Sequence, residues 1–230
     1  MSNLMIVRSY ELITVAIYLA SFFWLLRTRN PVYMGALVGA TLVFGFDWTY
    51  CTKFFFNVTY NPDLIWIPGL NIMGIREPLA IPFAYGMAFG PFAVALVMMR
   101  ETLDRLFGLW NYAVVWVIGA IGVMLYEVPV VHILHIWTYN QEPAHLLWGV
   151  PYSDIWLAGN LVGIAYAVLR WMERWAQIPA GAGFKLRSEN TWKGIVMGGV
   201  APWCAFYITF VLQLFWYSYA TPWVAVGRPF

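Results

Sequence analysis

Two carboxylates lie inside long apolar runs of this chain. Asp47 sits in Phe44-Gly-Phe-Asp-Trp-Thr-Tyr50 and Glu127 in Leu125-Tyr-Glu-Val-Pro-Val-Val131. A charge at bilayer depth is expensive, so acids in such runs face the interior of a bundle. Burial disfavours the charged form of a carboxyl, and an acid held neutral at pH 7 is what general-acid catalysis requires. The plainer alternative for both is an interhelical hydrogen bond, or a pairing with Arg76 or a histidine. Glu77 and Asp154 fall at the starts of two further apolar runs. There a negative charge complements the helix dipole, so capping is the simpler role, although both could also face the mouth of one cavity.

Pro129 follows Glu127 by two residues. It has no N–H to give and its ring crowds the carbonyl of Leu125 one turn back, so a kink beside the acid is expected. His132 and His135 are three apart and would share a helix face. With His145 and Glu127 they could form a metal set. Interfacial histidines, or a base paired with Glu127, are the alternatives, and no metal is assigned. Trp48, Tyr50, Trp66, Tyr85, Trp137, Tyr139, Trp148, Tyr152 and Trp156 map to the same side as the acids. Such rings form either an interfacial belt or the wall of a cavity, where their faces attract a developing cation by about 0.5–2 kcal/mol.

The elements that must position these groups are membrane helices. Of 230 residues, 62% are hydrophobic and 10% charged, against about 25% charged in soluble domains. So few charges cannot cover a soluble surface. The net charge of +2 comes without a basic tract or zinc spacing, which sets nucleic acid aside. Cys51 and Cys204 carry no pattern that requires a disulfide. A span needs about 20 mostly apolar residues, and six are expected: Tyr10 to Leu26, Tyr33 to Thr52, Leu79 to Met99, Asn111 to Ile136, Ser153 to Arg170 and Gly194 to Tyr219. The fold class is therefore all-α, a polytopic transmembrane helix bundle forming a single integral membrane domain over 1–230. The first apolar run lacks a small-residue cleavage site and reads as a retained helix.

The loops after the first, third and fifth spans hold nine Lys and Arg: Arg27, Arg29, Arg100, Arg105, Arg170, Arg174, Lys185, Arg187 and Lys193. The other side holds four: Arg8, Lys53, Arg76 and Arg228. The positive-inside rule then places both termini on the non-cytoplasmic side. The basic loop with Pro179-Ala-Gly-Ala-Gly183 is a cytoplasmic connector. On the outer side, Asn57 to Pro78 and Thr138 to Tyr152 are rich in Pro and Trp and poor in charge, as expected of segments folded over a cavity. No internal repeat suggests a transporter built from inverted halves.

The outer segments also carry a resemblance. Asn61-Pro62, Ile67-Pro68-Gly69, Arg76-Glu77-Pro78-Leu79, Pro82 and Tyr85, then Glu127-Val-Pro129, Trp137-Thr-Tyr139, Leu147-Trp-Gly149 and Tyr152 look like the pattern of the AveC-like spirocyclase family, over about residues 47 to 170. Where that family carries a Pro and then a Glu after Tyr152, this chain has Ser153-Asp-Ile-Trp-Leu-Ala158, with Asp154 its acid. The resemblance implies an integral membrane enzyme that closes rings in a polyketide-derived substrate, by spiroketal formation and sometimes dehydration.

The expected function is a membrane-embedded cyclase or isomerase acting on a hydrophobic polyketide- or terpenoid-like substrate. Glu127 or Asp47 would give the proton and the other would act as base. Asn61, Glu77, Tyr85, Trp48, Tyr139 and Asp154 would hold the substrate or brace the pocket. Ring closure of this kind needs no cofactor. The partners expected are the substrate and membrane lipid, not nucleic acid. Two other classes fit the same residues: a small proton- or cation-coupled transporter, and a structural subunit of a membrane complex.

Overall fold

The computed structural model describes residues 3–52, 55–72, 74–141, 143–177 and 189–219. Lys53, Lys185, Arg187 and Arg228 of the charge count, Glu142, and the 179–183 connector lie outside them. Among the described residues, six helical segments are long and apolar enough to cross a bilayer: Asn3–Thr28, Pro31–Tyr50, Ala80–Met98, Arg100–Ile133, Tyr152–Ala176 and Glu189–Phe215. The chain is a multi-pass helical membrane protein with small strands at one end of the bundle.

Helix α1 (Asn3–Thr28) begins at Asn3 rather than Tyr10, because Val7 and Tyr10 pack into the core at the strand end. Helix α2 (Pro31–Leu42) starts on Asn30, whose side chain accepts from the Val32 N–H at 3.0 Å, with Pro31 in the first helical position. That pairing caps one orphan donor and needs no N–H from the proline. The span then tightens through a 3-10 turn at Val43–Phe46 before the short α3 (Asp47–Tyr50), so Asp47 stands at an irregularity. The third span is α4 (Ala80–Phe89) and α5 (Pro91–Met98), broken at Gly90 because Pro91 cannot donate to the Met87 carbonyl. Helices α6 (Arg100–Phe107) and α7 (Asn111–Val128) form the fourth. The fifth is α8 (Tyr152–Ala176) and the last α9 (Glu189–Tyr219).

The fourth span departs from its expected end at Ile136. Regular helix stops at Val128, and Pro129–Ile133 forms a π turn. Pro129 removes one i→i−4 bond and the chain closes a wider ring instead. His135 then adopts φ +50° and turns the chain out of the helix. His132 and His135 are both exposed and do not share a regular helix face.

Helices α2 and α9 approach closely through glycine. A Cβ at Gly35 would lie 2.2 Å from the Ile195 carbonyl oxygen, and one at Gly198 only 1.8 Å from that of Val32. Gly35 and Gly39 are the small-xxx-small pattern that lets backbones touch in lipid. At the basic end, Arg100 pairs with Glu173 at 2.6 Å and Arg170 with Asp104 at 2.8 Å, while Tyr33 donates to Glu173 at 2.8 Å. These bonds tie α2, α6 and α8 together.

At the opposite end, the two Pro- and Trp-rich segments form strands that cover the bundle. Strand β1 (Val58–Tyr60) pairs antiparallel with β4 (Trp137–Tyr139), while β2 (Trp66–Ile72) and β3 (Ile75–Pro78) form a hairpin. Two short strands, β5 (Leu146–Leu147) and β6 (Val150–Pro151), complete the cover. Strand period puts alternate residues on opposite faces. Thr59 and Thr138 are exposed, while Val58, Tyr60, Trp137 and Tyr139 turn inward. Asn57 and Asn140 lock the β1–β4 pair, each amide donating to the other's backbone carbonyl at 2.9 Å.

Candidate functional site

Beneath the β1–β4 cover lies a cavity of about 360 Å³, and Asp47, Glu127 and Asp154 all line it. They arrive from three helices. Asp47 opens α3 after the 3-10 turn, Glu127 is in the last turn of α7 before the π turn, and Asp154 is in the first turn of α8. Each is at most 8% exposed. Among the described residues no cation pairs with them. Arg76 lies over the Trp66 ring at 4.7 Å, and the ion pairs, Arg8–Glu11, Arg100–Glu173 and Arg170–Asp104, lie elsewhere. Asp154 complements the dipole of α8, yet its Oδ2 is occupied by Tyr139.

The three acids differ in their partners. Every hydrogen-bonding neighbour of Asp47 is a donor: Tyr85 at 2.7 Å to Oδ1, with Tyr60 and, at 3.2 Å, the Cys51 thiol to Oδ2. Burial, then the Asp47 charge, pushes the Tyr60 hydroxyl and the Cys51 thiol well above their ordinary pKa values. Both therefore keep their protons and serve as donors, and the thiol is a poor nucleophile. Glu127 accepts from the Trp137 indole N–H at 3.0 Å and faces Tyr139 at 3.1 Å. The same Tyr139 hydroxyl is 3.1 Å from Asp154. Burial, then the Asp154 and Glu127 charges, raises Tyr139 well above the ordinary phenol range. A phenol carries one proton. If Tyr139 donates to one carboxyl, the other must donate to Tyr139, or two lone pairs meet at hydrogen-bond distance. Glu127, Tyr139 and Asp154 are thus satisfied when two protons serve the trio, one of them on a carboxyl.

Glu77 lies in β3 and is 3% exposed. It does not line the cavity but sits beside Asp47, and its Oε1 finds no hydrogen-bond partner among the described residues. It caps nothing, since the residue ahead of α4 is Leu79 and no side chain bonds there. Burial, then the neighbouring Asp47, pushes Glu77 up to about 10. An unfolded chain holds this carboxyl near its ordinary value of about 4.3. The folded state therefore binds the extra proton between those values, and its stability falls as pH rises through that window. Glu77→Gln should remove this slope. Its advantage in thermal midpoint over wild type should grow steadily from pH 5 to pH 9. A gap that stays constant with pH would contradict the buried-acid assignment.

The other expected site residues are placed as follows. Tyr85 and Tyr139 line the cavity as donors to the acids. Asn61 does not line it. Its amide donates to the His135 carbonyl at 3.0 Å and its Oδ1 accepts from the Asp63 N–H at 3.0 Å, so it clamps the cover. Trp48 is half-buried and outside the lining. Sequence reasoning passed over Tyr60, Cys51, Tyr126 and Tyr10. Cys51 is four residues beyond Asp47, a helical neighbour, and that spacing was the available signal. Tyr10 and Tyr126 bond hydroxyl to hydroxyl at 2.7 Å, and nothing in their spacing announces it. Glu11 was also missed. Its carboxylate accepts the Ile65 N–H at 2.6 Å and pairs with Arg8, fastening α1 to the cover.

Among the described residues no three His, Cys, Asp or Glu side chains gather as metal ligands would. Cys51 and Cys204 are both free. Fold and site define a multi-pass helical membrane protein with an acid-headed interior cavity. Comparison with protein-family models, curated proteins and solved structures returns no match.

Proposed function

We propose that the protein is a membrane enzyme that cyclises a hydrophobic, oxygenated substrate by carboxylate acid–base catalysis. The observation that carries this reading is the single cavity into which three unpaired acids converge, two of them, Glu127 and Asp154, sharing protons through Tyr139. Glu127 and Asp154 with Tyr139 form the proton-donating unit. Asp47, surrounded by donors, is the accepting one. Two groups with opposed hydrogen-bonding demands are the usual basis for dividing acid and base roles.

Spiroketal closure, the chemistry of the family that residues 47–170 resemble, fits these roles. One hydroxyl of a dihydroxy ketone adds to the carbonyl and gives a hemiketal. The Glu127 unit protonates the hemiketal hydroxyl, which leaves as water. The second hydroxyl attacks the oxocarbenium carbon, and Asp47 takes the proton that this hydroxyl loses. The net change is dihydroxy ketone to spiroketal plus one water, with no redox step. Trp137 stands among Tyr10, Tyr60 and Tyr126 at centroid distances of 6.0, 6.1 and 6.2 Å. Trp137, Tyr60 and Tyr126 line the cavity, where a ring face stabilises the cation by about 0.5–2 kcal/mol and the cover limits its capture by water.

The test uses the full chain in proteoliposomes with a long-chain dihydroxy ketone, read by chiral chromatography. One spiroketal enantiomer in excess, formed without a proton gradient, is the expected result. Racemic product at the protein-free rate would contradict the proposal. The outer placement of this site and both termini follows from the positive-inside count and forms part of the same reading.

A further inference from the structure

The cavity is polar at one end only. Its carboxyls, phenols, indole and thiol gather under the cover, on the first turn of α8, the last turn of α7 and α3. Along α7 the lining continues from Glu127 through Val123 and Gly122 to Gly119. Eight residues of helix span about 12 Å. On α8 it runs over the same interval, from Asp154 through Leu157 and Leu161 to Val162. Helices α4 and α5 add Met87, Ala88 and Phe92, and α1 adds Ile17 and Ser21. Apart from Ser21, this deeper lining is apolar.

The deep end also reaches the outside of the bundle. Ile17 lines the cavity and is 47% exposed on α1. Near the cover α1 is held to α7 by the Tyr10–Tyr126 bond. Ile17 lies seven residues further along, about 10 Å deeper, at apolar depth within the first span. An opening there faces lipid chains, not water.

From this geometry we infer that the site takes a single-chain amphipath, with its oxygenated head at Asp47, Glu127 and Asp154 and its hydrocarbon tail in the Val123–Gly122–Phe92 channel, entering sideways from the bilayer past Ile17. The inference rests on the catalytic reading for the head group and goes beyond it in naming the tail, its channel and the route. Gly122 keeps the channel open. A Cβ there would meet only the Phe92 ring, at 3.4 Å, which is ordinary contact, while a longer side chain would fill the passage.

The probe is dodecanol carrying a diazirine on its terminal carbon, photolysed with the full-length protein in phosphatidylcholine nanodiscs. Cross-linked residues are then mapped by mass spectrometry. Labelling should concentrate on Ile17, Phe92 and Val123 and be displaced by plain dodecanol. It should fall at least tenfold in Gly122→Leu and stay within twofold of wild type in Gly122→Ala, which reports on the fold. A parallel arm uses phosphatidylcholine with the diazirine at the end of one acyl chain. Labelling of the channel by that lipid alone, or dodecanol labelling confined to outward residues such as Leu12 and Leu125 and indifferent to Gly122→Leu, would overturn the inference. The readout needs no turnover. Channel labelling that survives while Glu127→Gln leaves ring closure unchanged would remove the catalytic reading and keep this one.

Discussion

Glu127→Gln is expected to slow enantioselective ring closure by about 10²–10⁴-fold, the usual contribution of a positioned general acid, with little change in folding. The glutamine carbonyl can still accept from Trp137 Nε1 and Tyr139, which now hold Glu127 at 3.0 and 3.1 Å. What it lacks is a transferable proton. The loss should appear in kcat, with KM nearly unchanged, because the missing interaction acts on the leaving hydroxyl in the transition state. A variant with wild-type kcat in proteoliposomes would exclude Glu127 as the donor and leave it a structural acceptor.

Asp47→Asn should produce a loss of similar size in turnover and, unlike Glu127→Gln, a loss of stability. Asp47 receives Tyr85 on one oxygen and Tyr60 with Cys51 on the other. An asparagine presents an N–H₂ to one of those sides, so at least one buried donor loses its acceptor. Leaving a buried polar group unsatisfied costs about 1–3 kcal/mol. Thermal midpoint should therefore fall along with kcat. Full activity with a lowered midpoint would show that Asp47 braces the Tyr60 and Tyr85 hydroxyls and takes no proton from the substrate.

The spans were legible because a bilayer imposes length and polarity on every crossing segment. All six apolar runs correspond to helical segments among the described residues. The break near Glu127 was legible as well, since Pro129 cannot complete the backbone ladder, although its resolution as a π turn depends on how the chain continues past His135. The cover was harder to read. Strands of three residues, such as Val58–Tyr60 and Trp137–Tyr139, are too short for their alternation to stand out. Their pairing joins positions far apart in sequence, and no local signal carries it. For the same reason Glu77 looked like a cap and Asn61 like a substrate ligand. Each lies near chemistry in sequence, and only the fold of the cover segments places Glu77 behind Asp47 and Asn61 against the His135 carbonyl. Asp154 and Tyr139 could be named individually, but a shared proton is a property of two segments meeting.

Infrared spectroscopy of the protein in nanodiscs at pH 7 tests the proton-sharing trio directly, because a protonated carboxyl has a carbonyl stretch apart from those of carboxylates and amides. With Glu77→Gln as background, to remove the other acid expected to be neutral, the account predicts a remaining protonated-carboxyl band. That band should persist in Asp47→Asn and vanish when Glu127→Gln and Asp154→Asn are combined. A spectrum without the band in the Glu77→Gln protein, or a band untouched by the combined replacement, would mean that no proton is held between Glu127, Tyr139 and Asp154.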